Sequence, residues 1–247
     1  MRFLVVGAGA IGGYFGGRLL EAGRDVTFLV RPGRAAQLAS TGLIIRSRLG
    51  DVALASPPRV LASELSAPFD VVLLSCKAYD LEPAMASFAP AVGPDTAILP
   101  LLNGLRHLDR LSDRFGGDPV LGGQCFISAS LDPGGVIVHL NESHTVSFGE
   151  RGGARSPRVQ AIAAAMVGAR FDARASDEIL QEMWEKWVFI AAGAGITCLM
   201  RAPVGDIVAA GGADLAVALL DECGAVAEAA GCAPRPDSVK RNRALLT

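Results

Sequence analysis

The chain has 247 residues, enough for one large domain or two ordinary ones, and 51% hydrophobic against 19% charged residues favours a sizeable core over disorder. A formal net charge of −2 gives no electrostatic case for nucleic acid or an anionic membrane surface. The five cysteines are scattered and lack a C-x-x-C, and His107, His139 and His144 lack ligand spacing, so reduced thiols in a cytoplasmic protein without a metal are expected. The first predicted element is a buried strand at Phe3-Leu4-Val5-Val6, which starts almost at once, so no signal peptide is expected.

That strand runs into Gly7-Ala8-Gly9-Ala10-Ile11-Gly12, with the spacing G-x-G-x-x-G, and then a helical segment of small residues that Gly23 closes. In this context Gly7 permits the tight turn, Gly9 lets backbone N–H groups approach a pyrophosphate, and Gly12 lets helix and strand pack closely. The helix N-terminus then faces the phosphates. A glycine-rich turn that only packs a helix would share the spacing but not the strand–turn–helix–strand order. Asp25 to Val30 is the second strand, ending in a Pro-Gly turn flanked by Arg31 and Arg34. No Asp or Glu occurs from Leu29 to Leu49, where an NAD-specific domain carries its ribose-binding acid. NADP(H) is therefore expected.

Short strands follow at Leu43–Ile45 and Val52–Leu54, then a buried strand from Phe69 to Cys76 that delivers Lys77 to the carboxyl edge of the sheet. There Lys77 either meets a cofactor phosphate or is a solvated lysine at a helix start. A helix over Leu81–Phe88 and a strand over Ala97–Leu102 place Asn103 at the same edge, either to hydrogen-bond a nicotinamide or substrate carbonyl or to cap the next helix. Leu121–Ser130 and Gly135–His139 read as two strands extending the sheet in antiparallel fashion, with a further short strand at Val146–Gly149. A helix over Val159–Val167 and a strand over Phe171–Ala173 close the first half.

Beyond Ser176 the pattern is helical. Asp177 to Met200 carries apolar residues at helical spacing, and Lys186 is the last charge before the 14-residue apolar run Trp187–Met200, which is too short to cross a bilayer. A lysine entering a buried helix is partly desolvated, which lowers its pKa and suits it to proton donation; a salt bridge to Glu182, four residues earlier, is the competing reading. A helix over Ala213–Ala230 stops at Gly231, and a last one starts near Asp237 and is still running at Thr247.

The segments VVGAGAIGGYFGGRL, LVRPGR, SCKAYD, LLNG and MWEKW together resemble the ketopantoate reductases (2-dehydropantoate 2-reductases) over essentially the whole chain. The resemblance implies an α/β fold, with a Rossmann-type NADP-binding domain over 1–174 and an all-helical domain over 175–247. It implies NADPH-dependent reduction of a small 2-oxo acid to a 2-hydroxy acid in pantothenate biosynthesis, leaving a homodimer open. Gly7 through Gly12 match the pyrophosphate loop, Arg31 and Lys77 the 2′-phosphate pair, Asn103 the asparagine beside nicotinamide and substrate, and Lys186 the catalytic general acid. Two features depart from the family. Ile190 and Ala194 stand where substrate-contacting asparagines occur, so ketopantoate itself is less favoured. The family's serine and glutamate would fall after residue 247, so the helical half is expected to be incomplete. A 3-hydroxyacid or 6-phosphogluconate type of dehydrogenase, or a non-catalytic NADPH-binding regulator, are the alternatives.

Overall fold

Residues 1–247 are all described in a computed structural model, and they divide into two compact units, Met1–Ile179 and Leu180–Thr247. In the first, β1 (Arg2–Val6) leads through α1 (Ala10–Glu21) to β2 (Asp25–Leu29) and α2 (Pro32–Thr41). The short strands β3 (Leu43–Arg46), β4 (Val52–Leu54) and β5 (Arg59–Val60) follow, then β6 (Val71–Leu74), α3 (Leu81–Phe88), β7 (Ala97–Pro100) and α4 (Arg106–Phe115). A hairpin of β8 (Gly122–Leu131) and β9 (Ile137–Gly149), then α5 (Pro157–Met166) and β10 (Asp172–Ala175), complete it.

One sheet is wholly parallel in the order β5-β2-β1-β6-β7. Apart from exposed Arg2 at the start of β1, its central strands are apolar, as covering of both faces requires. The second sheet corrects the expectation of an antiparallel extension. The hairpin does not join the first sheet; β9 pairs with β8 along one edge and with β3 and β10 along the other. It also corrects the short strands expected at Gly135–His139 and Val146–Gly149, which are one continuous strand of 13 residues. The mostly polar stretch His139–His144 hid that continuity: within it His144 pairs with Tyr14, and His139 with Ser47 and Asn141, while Leu140, Glu142 and Ser143 are exposed.

Helix α1 lies between the two sheets. A Cβ at Gly16 would come within 2.6 Å of the Phe28 ring on the parallel sheet, and one at Gly17 within 2.8 Å of Ile45 on the other. The i,i+4 pairs Gly12/Gly16 and Gly13/Gly17 thus form two bare stripes, one for each sheet, and the sheets close on the backbone itself. Helix α2 is a second correction: the Pro-Gly pair after Arg31 opens a ten-residue helix, with Pro32 in the first turn where its missing N–H is harmless.

The second unit is all-helical, as expected. It comprises α6 (Ile179–Met200, whose first residue closes the first unit), an unanticipated short α7 (Val204–Ala209), α8 (Ala213–Ala229) and α9 (Pro236–Leu246). Val188, Ala192 and Ile196 on α6, Ala216, Leu220, Cys223 and Ala227 on α8, and Leu246 on α9 share one core. The molecule is therefore a Rossmann-type α/β unit followed by a helical one, and no helix is long and apolar enough to cross a membrane.

Buried His139 and half-buried His144 of the first unit make a pH prediction. Tyr14 Oη and His144 Nδ1 are 2.8 Å apart, and the His144 ring stacks on His139 at 5.8 Å. Burial pushes the His144 pKa down, helped by His139 and Arg18 against the opposing pull of Asp172. The unfolded chain therefore takes up a proton first, so stability is full above the ordinary histidine pKa of about 6.5 and falls as pH drops through it. Melting temperature should decrease between pH 7.5 and 5.5, and His144→Gln should flatten that decrease. An unchanged slope in the variant would exclude His144 as its source.

Candidate functional site

The carboxyl ends of β1, β2, β6 and β7 lie in register, Val6 opposite Leu29 and Leu74, and Leu74 opposite Pro100. The strand order reverses beside β1, since β2 leaves on one side and β6 on the other, and ligands of open α/β sheets bind at such a point. Everything that follows these four strands is delivered to one edge: the glycine loop, Arg31, Lys77 and Asn103. Lys186 lies in the other unit.

Gly7 follows β1 with a φ of +94°, a left-handed conformation that favours glycine, and its N–H donates to the Leu29 carbonyl at 2.9 Å. Ala8 is buried, and Gly9 is the N-cap of α1 with no side-chain cap and no acidic residue in the first turn. The first intrahelical bond runs from the Gly13 N–H to the Gly9 carbonyl at 2.8 Å, so the amides of Ala10, Ile11 and Gly12 have no intrahelical acceptor. A Cβ at Gly12 would overlap the Gly7 carbonyl oxygen and Ser75 Oγ, whereas one at Gly9 would meet nothing within 4 Å. The loop is thus packed tightly from behind and open in front. Ser75, which the sequence did not single out, ties the two central strands together: its hydroxyl donates to the Val6 carbonyl at 2.9 Å.

Arg31 and Arg34 part company. Arg31, at the N-cap of α2, is exposed and donates from Nη2 to Asp80 Oδ1 at 2.7 Å. The Asp80 hydrogen bond and charge hold its pKa above the ordinary value. Arg34 turns inward and is half-buried, which lowers its pKa. It donates to the Ala8 carbonyl at 3.0 Å, to Gln37 and to the Gly135 carbonyl, bracing the glycine loop against α2 and the β8–β9 turn. In the sequence both arginines simply flank one turn; the bracing role of Arg34 was invisible because Gly135 is a hundred positions away.

Lys77 is exposed on the turn after β6, which the Asp80 N–H closes onto the Lys77 carbonyl at 2.9 Å. Burial, with Asp80 adding, pushes the thiol of Cys76 beside it up to about 11, so it stays protonated at neutral pH. Asn103 is exposed after β7 and is not the cap of the following helix, whose N-cap is Leu105. On α6, Lys186 is buried at 8% exposure, next to a carboxylate held in place from α9's N-cap. Glu185 accepts from the Arg235 backbone N–H at 3.0 Å, Nε at 2.7 Å and Nη2 at 2.8 Å. Burial alone would raise the Glu185 pKa; the Arg235 and Gln181 hydrogen bonds outweigh it and hold the carboxyl below its ordinary value. Ile190 is half-buried and Ala194 exposed, one and two turns beyond Lys186.

Comparisons with known proteins match both units. The family model described as ketopantoate reductase PanE/ApbA covers residues 3–153, and its C-terminal counterpart covers 178–247. An uncharacterized oxidoreductase of Bacillus subtilis, YkpB, is 45% identical over 85% of this chain and 68% of its own length. The 2-dehydropantoate 2-reductase of Mesorhizobium japonicum is 30% identical over 75% of this chain and 63% of its own. The chain thus spans about two thirds of the length of these curated relatives. The crystal structure of 2-dehydropantoate 2-reductase from Geobacter metallireducens superposes with a TM-score of 0.90 at 30% identity, over 100% of this chain and 82% of that one. Matched in both units by sequence and along its whole length by fold, the chain belongs to the ketopantoate reductase family.

Proposed function

We propose that this chain binds NADP(H) at the β1–α1 loop and reduces a 2-oxo acid, 2-dehydropantoate or a close analogue, to the 2-hydroxy acid. The observation that carries it is the bare N-terminus of α1 behind the Gly7 turn, where three amides without intrahelical acceptors meet no competing acid. The backbone from Gly7 through Ala8, Gly9, Ala10, Ile11 and Gly12 would hold the pyrophosphate, in the space that the missing Gly9 side chain leaves open. Arg31 and Lys77 would hold the adenosine 2′-phosphate, and Asn103 the nicotinamide carboxamide and the substrate.

When bound, the cofactor supplies a hydride to the keto carbon. Lys186 donates the proton to the ketone oxygen from Nζ, and its charge stabilises the alkoxide as it develops. Ile190 and Ala194 offer no side-chain hydrogen bonds one and two turns beyond Lys186, so a close analogue with an apolar substituent is favoured over 2-dehydropantoate, whose hydroxyl would find no partner from them. NADPH oxidation against a panel of 2-oxo acids tests the reaction, with 3-hydroxy acids and NADP as the opposed arm. Turnover confined to that arm would overturn it, and so would cofactor binding without turnover of any 2-oxo acid.

Cofactor choice has its own expected result. NADPH should bind at least about tenfold tighter than NADH, since charge-assisted bonds from Arg31 to a phosphate contribute on the order of 1.5–3 kcal/mol. Arg31→Ala should remove most of the preference, leaving what Lys77 contributes. Equal affinities in the wild type, measured by quenching of intrinsic fluorescence, would contradict the assignment.

A further inference from the structure

We infer that Asp80 sets how strongly this chain distinguishes NADPH from NADH, acting as a counter-charge to Arg31. The inference rests on the proposed dinucleotide site. Arg31 follows β2 and Asp80 follows β6, the two strands that flank β1, so their 2.7 Å ion pair joins the segments on either side of the glycine loop. The Arg31 side chain is 73% exposed and that of Asp80 30%, which leaves both open to a ligand. Asp80 also stands at the N-cap of α3, a position where an aspartate ordinarily accepts from the helix's own amides. Its side chain makes no capping bond there and reaches Arg31 instead.

The sequence around β2 lacks the acid that an NAD-binding domain uses, with no Asp or Glu from Leu29 to Leu49. The fold brings one in from another strand, 49 positions away. The two cofactors meet this pair differently. A 2′-phosphate is a dianion, so it competes with the Asp80 carboxylate for Arg31 or binds beside a like charge. A 2′-hydroxyl carries no charge and can donate a hydrogen bond to that carboxylate. Asp80 therefore weakens NADPH binding and leaves NADH binding unchanged or stronger. The native preference for NADPH is smaller than Arg31 and Lys77 alone would produce.

The test is equilibrium binding rather than turnover. NADPH, NADH, adenosine 2′,5′-bisphosphate and 5′-AMP are titrated against the wild type, Asp80→Asn and Asp80→Ser; both substitutions keep a favoured N-cap residue. Asp80→Asn should tighten NADPH and the bisphosphate about fivefold, the scale of one contact between exposed charges, and leave NADH and 5′-AMP unchanged or slightly weaker. Added salt should shrink the difference. A wild type that binds both dinucleotides while neither variant moves their affinity ratio would overturn the role of Asp80 alone. A wild type that binds neither would overturn the site itself, and the role of Asp80 with it.

Discussion

Lys186→Ala is expected to cut turnover on the best 2-oxo acid by about a hundredfold or more, the usual scale for losing a general acid, with NADPH affinity within about twofold of wild type. The separation follows from where the residues lie. Every group assigned to the cofactor belongs to the unit Met1–Ile179, whereas Lys186 sits on α6 in Leu180–Thr247. The neighbouring carboxylate is already held by three bonds from Arg235, so removing the lysine does not release it. The alkaline limb of the kcat/KM profile, which reports deprotonation of the acid, should vanish with the lysine. Lys186→Arg should keep charge at the site but recover little proton transfer, since guanidinium holds its proton too firmly. Near-wild-type turnover in the alanine variant would return Lys186 to a structural role on α6.

Gly12→Ala is expected to weaken NADPH binding by about tenfold and to lower the melting temperature. A Cβ there overlaps the Gly7 carbonyl oxygen, which is backbone, and Ser75 Oγ, which is held by the Val6 carbonyl. Overpacking of this kind costs about 1–3 kcal/mol, against about 1 kcal/mol regained from helix propensity. The cheapest escape moves the loop off β1, and with it the amides that would face the phosphates. Gly9→Ala is the matched control. Its Cβ meets nothing within 4 Å and its φ of −85° is ordinary, so the fold should melt as wild type does. Binding should nevertheless drop, because the methyl group occupies the space proposed for the pyrophosphate. A Gly9→Ala protein with normal NADPH affinity would remove the pyrophosphate from that loop.

The parallel sheet was legible in the sequence because its strands are buried on both faces and read as unbroken apolar runs, Phe3–Val6 and Val71–Leu74 among them. The glycine spacing was legible for a related reason, since the turn and the close packing each exclude a side chain. Of the second sheet, the short strands β3, β4 and β10 and the strand β8 were legible, but the continuity of β9 and its separation from the parallel sheet were not. β9 carries His139, Asn141, Ser143 and His144 in its middle, and a polar run breaks the alternation by which a strand is recognised. Helix α2 was lost to the turn preference of Pro-Gly, which its place in the first helical turn overrides. Of the candidate site, the strand ends were readable one at a time. The pairing of Arg31 with Asp80 and the turning-in of Arg34 toward Ala8 and Gly135 were not, because both join segments far apart in the chain.

The placing of α1 between two sheets bears on how this unit can respond to a ligand. An ordinary Rossmann helix has a solvent side and can slide or tilt by an ångström. This one has Phe28 against one stripe and Leu43 and Ile45 against the other, and its Arg18 is buried and donates to Glu21 and to the Gly50 carbonyl. Its N-terminus is therefore a fixed reference, already oriented before a phosphate arrives, and little ordering entropy is lost there on binding. Adjustment on occupancy then falls on the exposed side chains at the strand ends, Arg31, Lys77 and Asn103. Efforts to retarget the cofactor should work on those side chains and leave the helix untouched.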